Sequence, residues 1–498
     1  MQDKPVAVII GAGVGGLATA IRLAVQGFDV KVYEQSATYG GKIGYFESEG
    51  FHFDTGPSLF TQPENIEALF RLAGVPMEDF FRYKKMPTSC TYFYEDGTVI
   101  NAAADINTFA EEVQLKTNEP SGHIKSYLDQ SAKLYQDVAE IFLNHSLHKF
   151  AHLRKAPIWK AVKRFRFSHL FTTLHNFNAN TFEQKKVVQL FDRYATYNGS
   201  NPYAAPGMMS LIPHLEHNEG TFYPEGGMIS IAKALYELAK LKGVEFFFNS
   251  PVERIIHYNN RVAGVVVQGK NILASIVVSN IDVYFTYLHL LKDQHKARKI
   301  LKQERSSSAL IFYWGIDKSF PELGLHNIFF TENYATEFAH IFKKGKTFND
   351  PTIYINITSK CEPGKQAPEG KENWFVMVNV PANTGQDWEQ LKNTVRTQVL
   401  EKLHRVLKTD IGSKIVTEHV LDPIMIETKT GSYSGSLYGT SSNSRMAAFL
   451  RHPNFSRNLK GLYFVGGSVH PGGGIPLCLR SAKIAADLIS GERNNIHT

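Results

Sequence analysis

Cysteine is scarce in this chain, and a long apolar run is missing. The 498 residues include three cysteines, Cys90, Cys361 and Cys478, which lie far apart. Their odd number and wide spacing supply neither a disulfide framework nor a metal-ligand pattern, so we expect no metal site and a reducing, cytoplasmic setting. No stretch of about 18 apolar residues is free of charges and clustered glycines, so the sequence does not predict a membrane-spanning helix.

Acidic residues are absent from residues 141–182, which carry seven basic residues and many aromatic ones. On a helix over residues 157–170, apolar side chains would lie opposite a basic face. That basic face would consist of Lys160, Lys163 and Arg164. The pattern is typical of a helix in the headgroup layer of an anionic membrane, and a merely solvated basic face is the alternative.

Glycine is concentrated near the start, where residues 8–20 read VIIGAGVGGLATA. This stretch resembles either the apolar core of a secretory signal or a phosphate-binding turn. A signal needs a positively charged start and an uninterrupted apolar run, and neither is present. Gly11, Gly13 and Gly16 instead follow the G-x-G-x-x-G spacing, between a predicted strand over 6–10 and a predicted helix over 17–26.

A second predicted strand, 30–34, ends in Glu34, 23 residues after Gly11. A carboxylate at this position can accept hydrogen bonds from an adenosine ribose. The sequence therefore predicts an α/β, Rossmann-like dinucleotide-binding domain, with a glycine turn that binds nothing as the alternative. No second fingerprint follows, so we expect one dinucleotide and no bound NAD(P).

The chain is too long for one hydrophobic core, since single cores stop growing at about 250–300 residues. Strand-turn-helix patterns occur near both ends and again between them, which predicts a discontinuous nucleotide-binding domain. We expect it to comprise residues 1–105, 223–300 and 421–498. Residues 106–222 would form a helical, substrate-binding and membrane-associating region, and residues 301–420 an inserted α+β substrate domain.

Several longer motifs carry a resemblance to a known family. Besides the Gly11 turn and Glu34, they are residues 40–42 (GGK), 54–58 (DTGPS), 205–213, 223–228 (YPEGGM) and 470–476 (HPGGGIP). Over nearly its full length the chain resembles the carotenoid desaturases, flavoproteins of the bacterial phytoene-desaturase type. The resemblance implies FAD, a fold of the glucose-methanol-choline and amine oxidase type, and a long polyene substrate.

By this resemblance, Glu34 would hold the adenosine ribose, and the glycine-rich segment near residue 474 would lie under the isoalloxazine ring. Many flavoproteins have an aspartate where this chain has Ser468, but the family resembled here also lacks it. The expected FAD-binding residues are Gly11, Ala12, Gly13, Gly16, Glu34, Gly41, Lys42, Ser58, Leu59, Val252, Asn280, Gly467, Ser468, Gly474, Ile475, Pro476 and Leu477.

Desaturation removes a hydride and a proton from neighbouring carbons, and a flavin can take the hydride. A proton acceptor is still required. The densest cluster of titratable groups in the middle of the chain is residues 213–219, so His214 and Glu219 are the candidates for a base or a polar cap on the substrate tunnel. A hinge segment is the alternative. Other side chains that could face the tunnel, which the sequence does not rank, are Arg193, Tyr194, Tyr197 and Arg480.

Residues 431–443 resemble the subgroup that acts on hydroxylated acyclic carotenoids, so we expect 3,4-desaturation of a 1-hydroxycarotenoid. Phytoene desaturation, oxygenation or isomerisation on the same fold, and non-catalytic isoprenoid binding are the alternatives. The expected partners are an acyclic carotenoid, the inner face of the cell membrane, and oxygen or a quinone as electron acceptor. A nucleic acid is not expected, because the implied substrate dissolves in lipid.

Overall fold

A computed structural model describes residues 4–146, 148, 171–444 and 451–494. Its first layer is a five-stranded parallel sheet. In spatial order the strands are Leu462–Phe464, Ile276–Ser279, Val6–Ile10, Asp29–Tyr33 and Glu245–Phe247. The central strands are rich in buried Val and Ile, as expected for a parallel sheet covered on both faces. Three distant parts of the chain therefore meet in one sheet.

Helices cover one face of this parallel sheet and share its core. They are Val14–Val25, Glu64–Ala73, Ile229–Leu241 and Ile475–Asn494. The first helix begins at Val14, three residues before the predicted start at Leu17. It starts directly from the glycine turn, because Gly13 O already accepts the first intrahelical hydrogen bond, from Leu17 N at 2.9 Å. Helix propensity underrates this start, since glycine is a poor helix former.

A second sheet has seven mostly antiparallel strands. In spatial order they are Ile415–Leu421, Ser308–Ile316, Glu372–Val380, Ile353–Ile357, His326–Phe329, Thr88–Phe93 and Val99–Ala103. One face packs on the helix Trp388–Leu407 through buried aromatic and aliphatic side chains. The opposite face packs against Phe51 and Phe53, which lie on the nucleotide-binding side. This second face is therefore turned towards the predicted cofactor.

The helices Ile106–Thr117, Ser121–Asn144, Leu174–Ala179 and Lys185–Asp192 form a further layer, completed by the short turns Arg193–Asn198, Gly207–Leu211 and His214–Glu219. Further helices among the described residues include Val283–Phe285, Gln294–Ile300, Tyr334–Ala339 and Pro423–Thr430. Small sheets pair Tyr45–Ser48 with Phe51–Asp54, Tyr83–Lys85 with Phe222–Pro224, and Val252–Tyr258, Arg261–Val267 and Lys270–Leu273 with one another.

None of the helices in the described part of the chain has the length and apolar character needed to cross a membrane. The predicted basic helix over 157–170 lies outside the described residues. The domain boundaries expected at residues 105, 222, 300 and 420 stay predictions.

Candidate active site

The glycines of the Gly11 turn allow the strand Val6–Ile10 and the helix Val14–Val25 to pack closely together. Gly11 has a φ of +96°, which glycine adopts without strain. A Cβ at Gly16 would lie 2.1 Å from Gly11 O, so only glycine allows the helix to pack this closely on the strand. The helix Val14–Val25 begins without a side-chain cap at Gly13. Its first N–H groups and the positive end of its dipole are therefore suited to an anion.

Asn280 lies against this turn from the neighbouring strand. Its amide nitrogen is 3.4 Å from Gly11 O, and a Cβ at Gly13 would come within 2.9 Å of the same nitrogen. On the other side, a Cβ at Gly41 would lie 3.1 Å from Gly13 Cα. The bare backbone of Gly13 and Gly41 thus forms a cradle that side chains would fill. Such a cradle fits the pyrophosphate of a dinucleotide.

The Glu34 carboxylate lies at the end of its strand, as the sequence predicts, and is buried. One oxygen accepts from Ala12 N at 2.7 Å, and the other accepts from Ser36 N at 2.8 Å. Each oxygen keeps further acceptor capacity, which suits ribose hydroxyls. Ser250 N donates to Glu34 O at 2.8 Å, and this contact places Val252 next to the ribose-binding end.

Lys42, Gly474 and the segment 475–477 also belong to the expected cofactor-binding set. Lys42 Nζ donates to Leu437 O at 2.8 Å. The Lys42 side chain is solvent-accessible. Neighbouring protein atoms nevertheless displace part of the water around its ammonium group, which lowers the pKa of Lys42. Gly474 is exposed with a φ of +104°, and a Cβ there would meet nothing within 4 Å. Ile475, Pro476 and Leu477 then form the first turn of a second helix that ends at Asn494. The set as a whole fits an extended FAD.

Asp54, which the resemblance included without a role, joins the two parts of the nucleotide-binding side. Its carboxylate accepts from Met228 N at 2.9 Å, at the start of the helix Ile229–Leu241. A Cβ at Gly227 would lie 2.9 Å from the same carboxylate. Burial raises the pKa of Asp54 to about 6, against the hydrogen bond from Met228. Asp54 therefore anchors the YPEGGM motif on the strand before Ser58.

The face of the seven-stranded sheet that packs against Phe51 and Phe53 also carries polar side chains. Ile328 pairs in register with Tyr92 on one side and with Tyr354 on the other, so all three project from one face. His326, two residues before Ile328, projects from that face too. Tyr354 OH lies 2.8 Å from His326 Nδ1 and 2.8 Å from Ser58 Oγ. This chain of hydrogen bonds connects the sheet to the expected FAD segment.

A buried ion pair between Arg193 and Glu216 contacts this face through Tyr92. Arg193 donates to Glu216, and the Tyr197 hydroxyl donates to the other Glu216 oxygen. Arg193 Nη2 also donates to Tyr92 OH at 2.6 Å and to Tyr194 OH at 3.2 Å. Burial alone would raise the pKa of Glu216, but the Arg193 guanidinium and these donors hold it at about 2. The pair is therefore charged at neutral pH.

Two buried histidines flank the pair. His217 Nε2 lies 2.6 Å from Tyr194 OH, and its ring stacks on Phe109 with centroids 4.6 Å apart. Burial lowers the pKa of His217 and of His326 to about 4 in each case. Both imidazoles are therefore neutral at pH 7.

The two predicted catalytic residues are brought together. His214 Nε2 lies 3.4 Å from Glu219 Oε1. His214 Nδ1 lies 2.9 Å from Asn218 Nδ2, so the other ring nitrogen, Nε2, is the one on the Glu219 side. The second carboxylate oxygen, Glu219 Oε2, is buried and has no hydrogen-bond partner in the described part of the structure. This oxygen is free to accept a proton or a hydrogen bond.

The four side chains that the sequence named without ranking lie in two places: Arg193, Tyr194 and Tyr197 belong to the ion-pair network, whereas Arg480 Nη2 lies 2.8 Å from Tyr135 OH. Sequence reasoning missed the other members of this site. Glu216 and His217 lie inside the titratable cluster that the sequence singles out, but no pattern distinguishes them from their neighbours. His326, Tyr354 and Tyr92 come from strands that carry no motif.

Comparisons with known proteins agree with this geometry. The sequence model of the family described as flavin containing amine oxidoreductase matches residues 14–490. A protein of Flavobacterium sp. (strain P99-3) named 1-hydroxycarotenoid 3,4-desaturase is 50% identical over 483 residues, covering 97% of this chain and 98% of that protein. A protein of Methylomonas sp. named 4,4'-diapolycopene oxygenase is 33% identical over 496 residues, covering 98% of each.

Solved structures share the fold at low identity. An oxidoreductase from Methanosarcina mazei superposes with a TM-score of 0.63 at 16% identity, covering 98% of this chain and 100% of that one. Cyclohexylamine oxidase from Brevibacterium oxydans IH-35A superposes with a TM-score of 0.59 at 14% identity, covering 99% and 100%. The architecture is thus an α/β fold of the amine oxidase type with a substrate domain.

Proposed function

The chain belongs to the flavin-containing amine oxidoreductase family and is an FAD-dependent oxidoreductase, and we propose that it desaturates the 3,4 bond of a 1-hydroxylated acyclic carotenoid. This membership confirms the FAD that the family resemblance implies. One observation carries the substrate proposal, namely 50% identity along nearly the whole length of a 1-hydroxycarotenoid 3,4-desaturase.

A polyene needs an apolar binding surface that keeps water from the reacting carbons. Ile311, Tyr313 and Phe375 are buried against Phe51 and Phe53, with Met377 packed beside them, so this cluster belongs to the protein core. When bound, FAD supplies the acceptor for the hydride that leaves the substrate. The protein then has to position the chain and accept one proton.

Product mass separates this proposal from its alternatives. We expect the purified enzyme to convert a 1-hydroxycarotenoid to a product lighter by two hydrogens, with a longer conjugated chromophore. Because related proteins carry oxygenase names, a product that has gained oxygen would favour oxygenation instead, and an unchanged mass would favour isomerisation. Faster turnover of phytoene would favour the phytoene-type activity. A flavin that keeps its colour on anaerobic addition of every substrate would indicate a binding protein.

We assign the polar end of the reaction site to His214 and Glu219. The His214 imidazole lies 3.4 Å from one carboxylate oxygen, and the other, Glu219 Oε2, is buried without a partner among the described residues. Such an oxygen serves as the proton acceptor or as a hydrogen-bond partner for the substrate hydroxyl. In either case, we expect oxygen or a quinone to reoxidise the reduced flavin after the substrate has been desaturated.

Replacement of Glu219 distinguishes the two roles. Glu219→Gln removes the base but keeps a hydrogen-bond acceptor, so loss of a base slows anaerobic flavin reduction by hydroxylated and plain carotenoids equally. Glu219→Leu and His214→Leu leave a polar partner unpaired, and we expect each to lower the preference for the hydroxylated substrate about tenfold in kcat/KM, equivalent to about 1.4 kcal/mol. Flavin content should stay unchanged. If all three variants keep the wild-type rates and ratio, this segment is a hinge.

We further propose that residues 141–182 associate the enzyme with the inner, anionic face of the cell membrane, from the cytoplasmic side. The support is compositional, since the segment has seven basic residues and no acidic one. A carotenoid substrate dissolves in lipid, so docking on the bilayer brings the enzyme to it. Each basic residue near an anionic surface contributes about 1 kcal/mol.

Charge reversal in this segment is the test. The triple change Lys160→Glu, Lys163→Glu and Arg164→Glu should release the enzyme from phosphatidylserine-containing liposomes in a sedimentation assay. Neutral phosphatidylcholine liposomes are the control, and wild-type binding should weaken at high salt. Equal sedimentation of the wild type and the triple variant would contradict membrane docking through these residues.

A further inference from the structure

Arg480 lies close to the expected flavin position, on the helix Ile475–Asn494. It follows Ile475 by five residues, and a helix rises about 1.5 Å per residue. Arg480 is therefore roughly 7 Å along the axis from the helix end that the resemblance places at the isoalloxazine ring. A polar group there is near the reacting carbons.

One nitrogen of the Arg480 guanidinium has a hydrogen-bond partner among the described residues, and the other two have none. Its Nη2 donates to Tyr135 OH at 2.8 Å, and Gln62 Nε2 donates to the same oxygen at 2.5 Å. Gln62 has a left-handed backbone, with a φ of +56°. Arg480 Nε and Nη1 are buried, and no described residue accepts a hydrogen bond from either. The guanidinium therefore presents two unused, oriented donors.

An unused acceptor lies around the same tyrosine. The Tyr135 ring packs on His214, with centroids 4.9 Å apart, and His214 Nε2 lies 3.4 Å from Glu219 Oε1. Burial raises the pKa of Tyr135, Arg480 lowers it and Glu219 raises it further, so both charges act on this hydroxyl. Glu219 Oε2 is buried without a described partner. Arg480 donors and a Glu219 acceptor thus converge near Tyr135.

We propose that Arg480 determines the specificity for the hydroxylated substrate, by donating a hydrogen bond to the oxygen of its tertiary alcohol. A hydroxyl both accepts and donates, so it matches the Arg480 donors on one side and the Glu219 acceptor on the other. A plain hydrocarbon leaves these buried groups unpaired and is disfavoured for that reason. The Glu219 carboxylate also offsets the positive charge of Arg480, which would otherwise oppose a cation on the polyene.

The position of the hydroxyl in the substrate agrees with the position of Arg480. This inference rests on the proposed 3,4-desaturation of a 1-hydroxycarotenoid. Carbon 1, which bears the hydroxyl, is two bonds from carbon 3, where the new double bond begins. A residue that recognises the hydroxyl must therefore lie close to the expected flavin position. Arg480 meets this requirement through its place near the start of the helix Ile475–Asn494.

The test compares kcat/KM for a 1-hydroxycarotenoid with kcat/KM for the same carotenoid lacking the hydroxyl. We expect Arg480→Leu to lower this ratio at least tenfold while the FAD content stays at the wild-type level. Lys483→Leu is the matched control, because it removes an exposed cation from the same helix, paired only with Asp487 in the described structure. The control should keep the wild-type ratio.

A substrate change gives a second measurement that needs no variant. The 1-methyl ether keeps an oxygen that accepts from Arg480 but has no proton to donate, so the wild type should turn it over faster than the plain hydrocarbon. In Arg480→Leu this advantage should disappear. A wild type that treats ether and hydrocarbon alike would overturn the role of Arg480, and so would an Arg480→Leu enzyme with the wild-type ratio. If the wild type itself has no preference for the hydroxylated carotenoid, the proposed function fails instead.

Discussion

Gly13→Asp is expected to yield a folded but colourless protein. In the structure a Cβ at Gly13 would come within 2.9 Å of Asn280 Nδ2, and the aspartate would extend into the cradle above the helix Val14–Val25. That cradle is suited to a pyrophosphate, so the carboxylate opposes binding by volume and by charge. We expect FAD affinity to fall at least about 100-fold, which corresponds to about 2.7 kcal/mol. The measurement is flavin absorbance per mole of purified protein.

Gly122→Asp is the matched control for this change. Gly122 lies in the first turn of the helix Ser121–Asn144, and a Cβ there would meet nothing within 4 Å. An acidic side chain in the first helical turn is favourable, so the control should bind FAD fully. Full yellow absorbance of folded Gly13→Asp would mean that this turn does not hold the cofactor.

Arg193→Met is expected to destabilise the protein strongly, by about 3–5 kcal/mol, since it leaves the Glu216 carboxylate buried without its cation. Both partners are almost fully buried, with side-chain exposures of 8% and 2%. Replacing the two together, as Arg193→Met with Glu216→Leu, should recover most of the loss, because an apolar pair needs no desolvation of charge. Thermal unfolding of the two single variants and the double variant measures the coupling.

Lys133→Met is the control for this series. Its ion pair with Asp129 is exposed, at 70% and 60%, and should contribute less than about 1 kcal/mol. The low pKa of Glu216 adds a pH test: its stabilising contribution is present above about pH 4.5 and is lost as the pH falls towards 2. A single Arg193→Met variant as stable as the double variant would contradict a coupled pair.

Local patterns in the sequence were sufficient to predict the nucleotide-binding residues of this candidate site. Gly11, Gly474 and Glu34 each meet a requirement of the local chain: the two glycines have a positive φ, and Glu34 directly follows the strand Asp29–Tyr33. Such requirements restrict the residue type within a few positions, and they can be recognised from the sequence without knowledge of the fold. The boundary of the first helix was misplaced because helix propensity underrates a start made of glycines.

The polar groups of the reaction site were decided by the tertiary structure. Arg480 is 345 residues from Tyr135, and Tyr92 is 101 residues from Arg193. His326 reaches the site only because its strand pairs in parallel with the strand of Tyr92. No local rule restricts residue types at such distances, since each side chain satisfies its hydrogen bonds with partners that folding alone brings near. The sequence therefore predicted the cofactor of this protein, and the tertiary structure decided which distant side chains lie together at the candidate site.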